Sequence, residues 1–146
     1  MVREFDYTRQ LSACVVFGVD KIDSKDEEGL DKCCAAVRSV CETLAENGVS
    51  ASFFTNALLK RINAREFWKC EVSPGHKDTL LEGLGRITAH PRGSLNALLE
   101  YALINSDYDA AFIVVMPASD TRGDEAVDFL RNKSGRETLL IHMGSY

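Results

Sequence analysis

Five stretches of the chain are apolar, or alternate between apolar and polar residues, over seven to nine positions, the length of a β-strand. The runs at 11–19 and 110–116 are apolar almost throughout, which is typical of strands buried on both faces of a parallel sheet. The stretch at 66–72 alternates instead and closely follows its predecessor, so it predicts an antiparallel edge strand. The five predicted strands lie at 11–19, 49–55, 66–72, 110–116 and 137–143.

Between the strands, apolar residues recur every three or four positions, which predicts amphipathic helices. Ser24 followed by Glu27 fits a capping box at the start of the first helix, and Asn47-Gly48 fits a left-handed stop at its end.

Three further helices follow from the same spacing. The second is expected to start at an Asp78 cap, to include Ile87, and to break at 90–94. Ser94 is the expected cap of the third helix. The fourth spans 123–132 and stops at Gly135.

The resulting order is strand, helix, strand, edge strand, two helices, strand, helix and strand. Apolar strands that alternate with helices predict an α/β fold of three layers, with a mostly parallel sheet, an antiparallel edge strand and helices on both faces. A length of 146 residues predicts a single domain over 1–146. Because residues 1–10 form a charged lead-in that starts without a cap, we expect this domain to be a piece of a longer protein.

Composition narrows the functional classes. A net charge of −5 argues against a nucleic-acid-binding protein, because such proteins oppose basic surfaces to phosphate. No run is long enough to span a membrane, and the polar start does not resemble a signal peptide. The five cysteines form no CxxC pair, so we expect buried free thiols, no zinc site and a cytoplasmic location.

Three segments carry a resemblance to a known family. They are Val2-Arg-Glu-Phe-Asp-Tyr leading into 11–20, Leu44-Ala-Glu-Asn-Gly-Val-Ser-Ala-Ser-Phe-Phe-Thr-Asn56, and Arg92-Gly-Ser-Leu-Asn-Ala-Leu-Leu-Glu-Tyr-Ala102. With the order of elements, they resemble a von Willebrand factor A-type (Rossmann-like) domain, and most closely the C-terminal part of the bacterial domain of unknown function fifty-eight. The resemblance implies an interaction module on the cytoplasmic side, free or as part of a membrane-anchored protein, that works with a MoxR-type AAA+ ATPase.

The same resemblance implies a place for a divalent metal. A-type domains often hold Mg²⁺ with a DxSxS segment after the first strand, a Thr before a middle helix, and an Asp after the fourth strand. Asp20 and Ser24 match the ends of DxSxS, but Ile22 stands in the middle and offers no oxygen. Ser94 can replace the Thr, whereas 116–119 lacks the carboxylate and Asp120 comes about two positions late. We therefore expect a degenerate metal site and no cofactor, with Mg²⁺ as the alternative.

The function that these observations favour is a non-enzymatic scaffold or protein-interaction domain. An Asp at the carboxyl end of a buried parallel strand lies where open α/β sheets bind their ligands. The expected binding surface therefore comprises Asp20, Asp23, Ser24, Ser94, Ser119 and Asp120. The alternatives are a Mg²⁺-dependent adhesion domain and a small-ligand-binding enzyme that uses the same edge.

Two other features allow more than one interpretation. The basic residues around Phe67 and Trp68 fit a stacking surface for single-stranded nucleic acid, a hairpin that docks a partner, or an edge strand with Trp68 packed inward. The three histidines, His76, His90 and His142, are expected to face solvent or loops, with a Cys/His nucleophile pair as the alternative.

Overall fold

The computed structural model describes residues 12–63, 66–107, 109–117 and 119–143. The lead-in at 1–10 lies outside the described residues. The elements are β1 Ser12–Phe17, α1 Glu27–Glu46, β2 Ser50–Thr55, β3 Ala57–Leu59, β4 Trp68–Val72, a 3-10 helix Pro74–His76, α2 Lys77–Arg86, β5 Ile87–Pro91, α3 Leu95–Asn105, β6 Ala111–Met116, α4 Gly123–Ser134 and β7 Thr138–His142.

The central sheet has five strands in the order β4-β2-β1-β6-β7. Strands β2, β1, β6 and β7 are parallel, and β4 runs antiparallel to β2 at one edge. The apolar runs therefore form the parallel centre, and the alternating stretch forms the predicted antiparallel edge.

Helices cover both faces of this sheet. Successive side chains along a strand point to opposite faces of the sheet. Val15 and Phe17 therefore pack in one core with α1 and α2, while Cys14 and Val16 pack in a second core with α3 and α4. All four of these side chains are fully buried. This arrangement confirms the predicted three-layer α/β sandwich with a mostly parallel sheet and an antiparallel edge strand. Among the described residues, no helix is both long enough and apolar enough to cross a membrane.

Two of the predicted helix starts are wrong. Helix α1 is capped by Asp26, whose Oδ1 accepts a hydrogen bond from the Gly29 backbone N–H at 2.9 Å, and not by Ser24. Ser24 lies earlier, in a turn closed by the Asp26 N–H on the Asp23 carbonyl. Asp78 does not cap α2, because the 3-10 helix already continues into that helix and leaves Asp78 inside its first turn.

The second predicted helix also extends too far. It ends at Arg86, and Ile87 begins strand β5, which pairs antiparallel with β3 in a separate two-stranded sheet. The prediction missed this sheet because β3 has only three residues and β5 contains no regular alternation. In this pairing, Leu59 and Ile87 lie opposite each other, and both are buried in the core formed with α1 and α2.

The predicted stops agree with the structure. Gly48 and Gly135 adopt φ values of 70° and 69°, the left-handed conformation that glycine reaches without steric cost. Ser94 caps α3 as expected, since its Oγ accepts a hydrogen bond from the Ala97 N–H at 3.1 Å.

Candidate functional site at the carboxyl edge of the sheet

The four parallel strands end in polar residues at one edge of the sheet, here called the carboxyl edge. Asp20 follows β1, Asn56 follows β2, Asp120 follows β6, and His142 is the last residue of β7. Since parallel strands point the same way, their carboxyl ends bring these side chains together even though they are far apart in sequence.

Asn56 connects three segments at this edge and is fully buried. Its Oδ1 accepts a hydrogen bond from the Val19 N–H at 2.9 Å. Its Nδ2 donates to Asp20 Oδ1 at 3.0 Å and to the Gly93 carbonyl at 2.9 Å. The amide of Asn56 therefore ties the end of β1 to the loop before α3, a task that needs a donor and an acceptor on one side chain.

Asp20 accepts hydrogen bonds from three directions. Besides the Asn56 amide, its Oδ2 accepts from the Leu95 N–H at 3.1 Å and from Arg122 Nη2 at 3.2 Å. The Leu95 N–H belongs to the first residue of α3, where the helix dipole favours a negative charge. The side chain of Asp20 is 16% exposed, so this carboxylate lies just below the surface.

Asp120 and Arg122 form a bidentate ion pair. Asp120 Oδ1 accepts from Arg122 Nε at 2.9 Å and from the Arg122 backbone N–H at 3.0 Å, and its Oδ2 accepts from Arg122 Nη2 at 2.7 Å. The Asp120 side chain is fully buried, whereas that of Arg122 is 29% exposed. Burial alone would raise the pKa of Asp120, but the hydrogen bonds and charge of Arg122, together with the charge of Lys21, outweigh burial and lower that pKa.

The reciprocal effect acts on Arg122. Its hydrogen bond to Asp120 raises the pKa of the guanidinium, burial opposes this, and Asp20 adds to the increase. Asp120 and Arg122 are therefore both ionised at neutral pH. The side chains of Asp20, Asp120 and Arg122 are called the cluster below, and in it the guanidinium contacts both carboxyl groups.

Two further contacts hold the outer side of the cluster. His142 Nε2 lies 2.7 Å from the Asp120 carbonyl oxygen, and because a carbonyl only accepts, Nε2 is the protonated ring nitrogen. Ser119 Oγ donates to the Lys21 carbonyl at 2.5 Å, which joins the loop after β6 to the turn after β1.

The structure brings together four of the six residues predicted for this surface. Asp20 and Asp120 share Arg122, Ser119 bonds the turn that follows Asp20, and Ser94 precedes the Leu95 N–H that binds Asp20. The other two, Asp23 and Ser24, are exposed in the turn before α1 and make no hydrogen bond to the cluster within the described residues.

Sequence reasoning missed Asn56, Arg122 and His142. Asn56 had a signal, because it is a polar residue directly after a buried strand and lies at the end of a segment quoted for the family resemblance. The sequence gives no such signal for Arg122, because nothing in a polar loop indicates that its arginine pairs with Asp120.

With Arg122 in place, the donor set at this edge does not suit Mg²⁺, which requires near-octahedral oxygen coordination. Ile22 is buried and contributes no oxygen, and the carboxylate oxygens of Asp20 and Asp120 already accept hydrogen bonds from N–H groups. The positive charge of Arg122 lies between the two carboxylates, where it would repel a cation. Within the described residues, no three side chains of His, Cys, Asp or Glu are grouped so that they could hold a metal ion.

The five cysteines are free thiols, and four of them are buried as expected, whereas Cys34 is half-buried. Burial raises the pKa of Cys33 to about 11 and those of Cys34 and Cys41 to about 12, and it also raises the pKa values of Cys14 and Cys70. Thiols of this kind remain protonated at neutral pH and are poor nucleophiles.

In the basic and aromatic stretch near β4, Trp68 packs inward, whereas Lys69 is exposed. Trp68 contacts Phe53 edge-on at 5.9 Å between ring centroids, and its indole lies against Gly83 of α2. Lys69 Nζ donates to the Asn105 carbonyl at 3.3 Å and lies 5.7 Å from the Phe54 ring. Of the three interpretations, these contacts favour the edge strand with Trp68 packed inward.

A groove of about 370 Å³ lies away from the carboxyl edge. It is lined by the last turns of α1 and by the segment that joins β4 to α2, including Cys41, Val72 and Leu80. Since α1 runs back from the carboxyl edge, its end lies toward the opposite edge of the sheet.

Comparison with known proteins supports the fold alone. No family model and no curated protein matches the chain. The solved structure of proximal thread matrix protein 1 (PTMP1) from the mussel byssus, crystal form 2, is similar over 91% of this chain and 38% of that chain. The sequence identity is 12% and the TM-score 0.52. A likeness at this identity agrees with the three-layer α/β architecture described above.

Proposed function

We propose that this chain is a non-enzymatic protein-interaction domain of the von Willebrand factor A type, that its carboxyl edge is the binding surface, and that its partner is a MoxR-type AAA+ ATPase. The observation that carries the proposal is the convergence of polar side chains from separate strands on one edge. Internal hydrogen bonds hold the inner residues Asp20, Asn56 and Asp120, so the edge is pre-organised before any partner binds.

An exposed rim surrounds this fixed centre. Asp23 and Ser24 are exposed in the turn before α1, Ser94 is exposed just before α3, and Ser119 is exposed in the loop after β6, whereas Asp120 is buried and Asp20 is partly buried. Short hydroxyl and carboxylate side chains on loops are suited to hydrogen bonding with a partner surface, and they lie where open α/β sheets bind their ligands.

The available nucleophiles argue for binding rather than catalysis. The five thiols have raised pKa values, which disfavours the Cys/His alternative. Ser73 Oγ and His76 Nδ1 are 2.7 Å apart, but they are three residues apart in one exposed turn. Within the described residues, neither side chain makes a second hydrogen bond that would orient it as in a catalytic triad.

The segments that resemble the family flank the proposed surface. The segment at 44–56 ends with Asn56, and the segment at 92–102 begins just before Gly93 and Ser94. These two segments meet in the hydrogen bond from Asn56 Nδ2 to the Gly93 carbonyl at 2.9 Å. The ATPase is proposed as the partner because of this resemblance. The hydrogen bond between Asn56 and Gly93 holds the two segments side by side, so that they can form one surface.

The test measures binding of the purified MoxR-type ATPase from the same organism to the immobilised chain. Ser24→Arg places a long cation on the proposed surface, and Ser39→Arg makes the same change on the exposed side of α1. We expect Ser24→Arg to weaken binding by about tenfold or more, the effect of disturbing one important interface position, and Ser39→Arg to change it by less than about twofold.

Two results would contradict the proposal. One is the absence of binding by the unmodified chain, and the other is equal weakening by the two arginine variants. Binding that requires Mg²⁺ on this chain and is lost in Asp20→Ala would support the metal-dependent alternative instead.

A further inference from the structure

One nitrogen atom of Arg122 lies in the position where a bridging cation would be needed. Arg122 Nη2 is 3.2 Å from Asp20 Oδ2 and 2.7 Å from Asp120 Oδ2. Both oxygens contact the same atom, so they are at most about 6 Å apart. Without a cation between them, two shielded carboxylates at this distance would repel each other strongly.

The planar shape of the Arg122 guanidinium also fits the position between the two carboxylates. Its planar fork makes parallel hydrogen bonds to both oxygens of Asp120, from Nε at 2.9 Å and from Nη2 at 2.7 Å. The turn from Asp120 to Arg122 is closed by a hydrogen bond from the Arg122 backbone N–H to Asp120 Oδ1 at 3.0 Å. The guanidinium is therefore held in place by the same carboxylate that it neutralises.

We infer that Arg122 is a built-in substitute for a divalent cation: its guanidinium neutralises and joins Asp20 and Asp120, the edge keeps its shape without metal, and removing the guanidinium uncovers a divalent-cation site between the two carboxylates. The inference concerns how the edge is held together and does not depend on which partner binds there. Hard carboxylate oxygens are the ligands that Mg²⁺ and Mn²⁺ prefer, and a small inward movement would bring them from hydrogen-bonding distance to the metal–oxygen distance of about 2.0–2.1 Å that Mg²⁺ requires.

The experiment measures the melting temperature and the binding heat of the full chain with Mn²⁺ and with Mg²⁺. We expect the unmodified chain to show less than about 1 °C of change at about 10 mM ion and no saturable heat. Arg122→Ala should melt at a lower temperature without metal and regain at least about 3 °C with Mn²⁺. The double variant Asp20→Asn with Arg122→Ala should lose this gain, because one of its two carboxylates is gone.

Control variants separate charge from packing. Arg38→Ala removes an exposed guanidinium that pairs with Glu42 at 3.5 Å, and it should not create a response to Mn²⁺. Arg122→Lys keeps a positive charge and should remain unresponsive as well.

Three outcomes overturn the inference. The first is an Asp20-dependent response to Mn²⁺ in the unmodified chain. The second is a folded Arg122→Ala protein that gains nothing from Mn²⁺. If Arg122→Ala is unfolded without metal, Mn²⁺ should restore its near-ultraviolet circular dichroism, and failure to restore it is the third.

Discussion

The connection made by Asn56 gives the sharpest prediction about stability. Asn56→Ala removes three hydrogen bonds at once: those with the Val19 N–H, Asp20 Oδ1 and the Gly93 carbonyl. The substitution leaves each of these groups in place without its partner. The cost is therefore dominated by desolvated polar groups and not by the lost side-chain volume.

The magnitude follows from how well each group is shielded. The Val19 N–H belongs to a fully buried residue, so losing its acceptor costs about 2 kcal/mol. Asp20 and Gly93 are only partly buried, and water can replace some of what they lose, so each adds about 0.5–1 kcal/mol. The sum is about 3–4 kcal/mol in the free energy of unfolding, which corresponds to a decrease of about 10 °C in Tm for a chain of this length.

The assay is urea unfolding followed by tryptophan fluorescence and by circular dichroism, with Asn105→Ala as the matched control. Asn105 donates one exposed hydrogen bond, to the Tyr101 carbonyl at 2.9 Å, and its removal should change the free energy of unfolding by less than about 0.5 kcal/mol. If Asn56→Ala is destabilised by no more than Asn105→Ala, the claim that Asn56 joins the two segments is wrong.

Two further predictions concern the ion pair and the α2 packing. Burial opposes ionisation of Asp120, but Arg122 and Lys21 outweigh it and lower the pKa of this carboxyl group from its ordinary value of 3.8. The ionised carboxylate therefore contributes stability that is fully present above pH 3.8 and is lost as the pH falls through the lower pKa of the folded state. In urea titrations, Asp120→Asn should therefore be less stable than the unmodified chain by about 2 kcal/mol, and this difference should be constant between about pH 5 and 8. The difference should shrink only below about pH 4. A difference that disappears near pH 6 would contradict the lowered pKa. In α2, a Cβ at Gly83 would overlap the Trp68 indole, whereas one at Gly85 would meet open space. Thermal melts should show Gly83→Ala destabilised by about 1–2 kcal/mol and Gly85→Ala stabilised by about 0.5–1 kcal/mol, and a shared sign would refute this account of the Trp68 contact.

Periodicity was sufficient to predict the central architecture. The apolar runs at β1 and β6 and the alternation at β4 identify the buried and edge strands, because burial on one face or two determines which positions must be apolar. Periodicity did not predict β5, because Ile87 fits the apolar spacing of the preceding helix as well as it fits a short strand. Only the pairing with β3, a contact distant in sequence, distinguishes the two.

The candidate site was predictable in position but not in its connections. The sheet edge after Asp20 follows from strand order, and Asp120 follows from the end of β6. The contacts of Asn56 and Arg122 depend on side-chain direction in three dimensions, which the sequence pattern does not contain. The ligand pattern of A-type domains indicates that Asp120 is displaced, but that pattern contains no sign that the arginine two residues later pairs with Asp120.

The central claim is that the carboxyl edge is the surface that binds a protein partner. Hydrogen–deuterium exchange of the chain, alone and with the MoxR-type ATPase, tests it most directly because each loop is followed separately. We predict slower exchange in the complex at 18–26, 92–95 and 119–123, the three segments that meet around Asp20 and Arg122. Slower exchange confined to other parts of the chain, or no change at these three segments in a complex that does form, would contradict the claim.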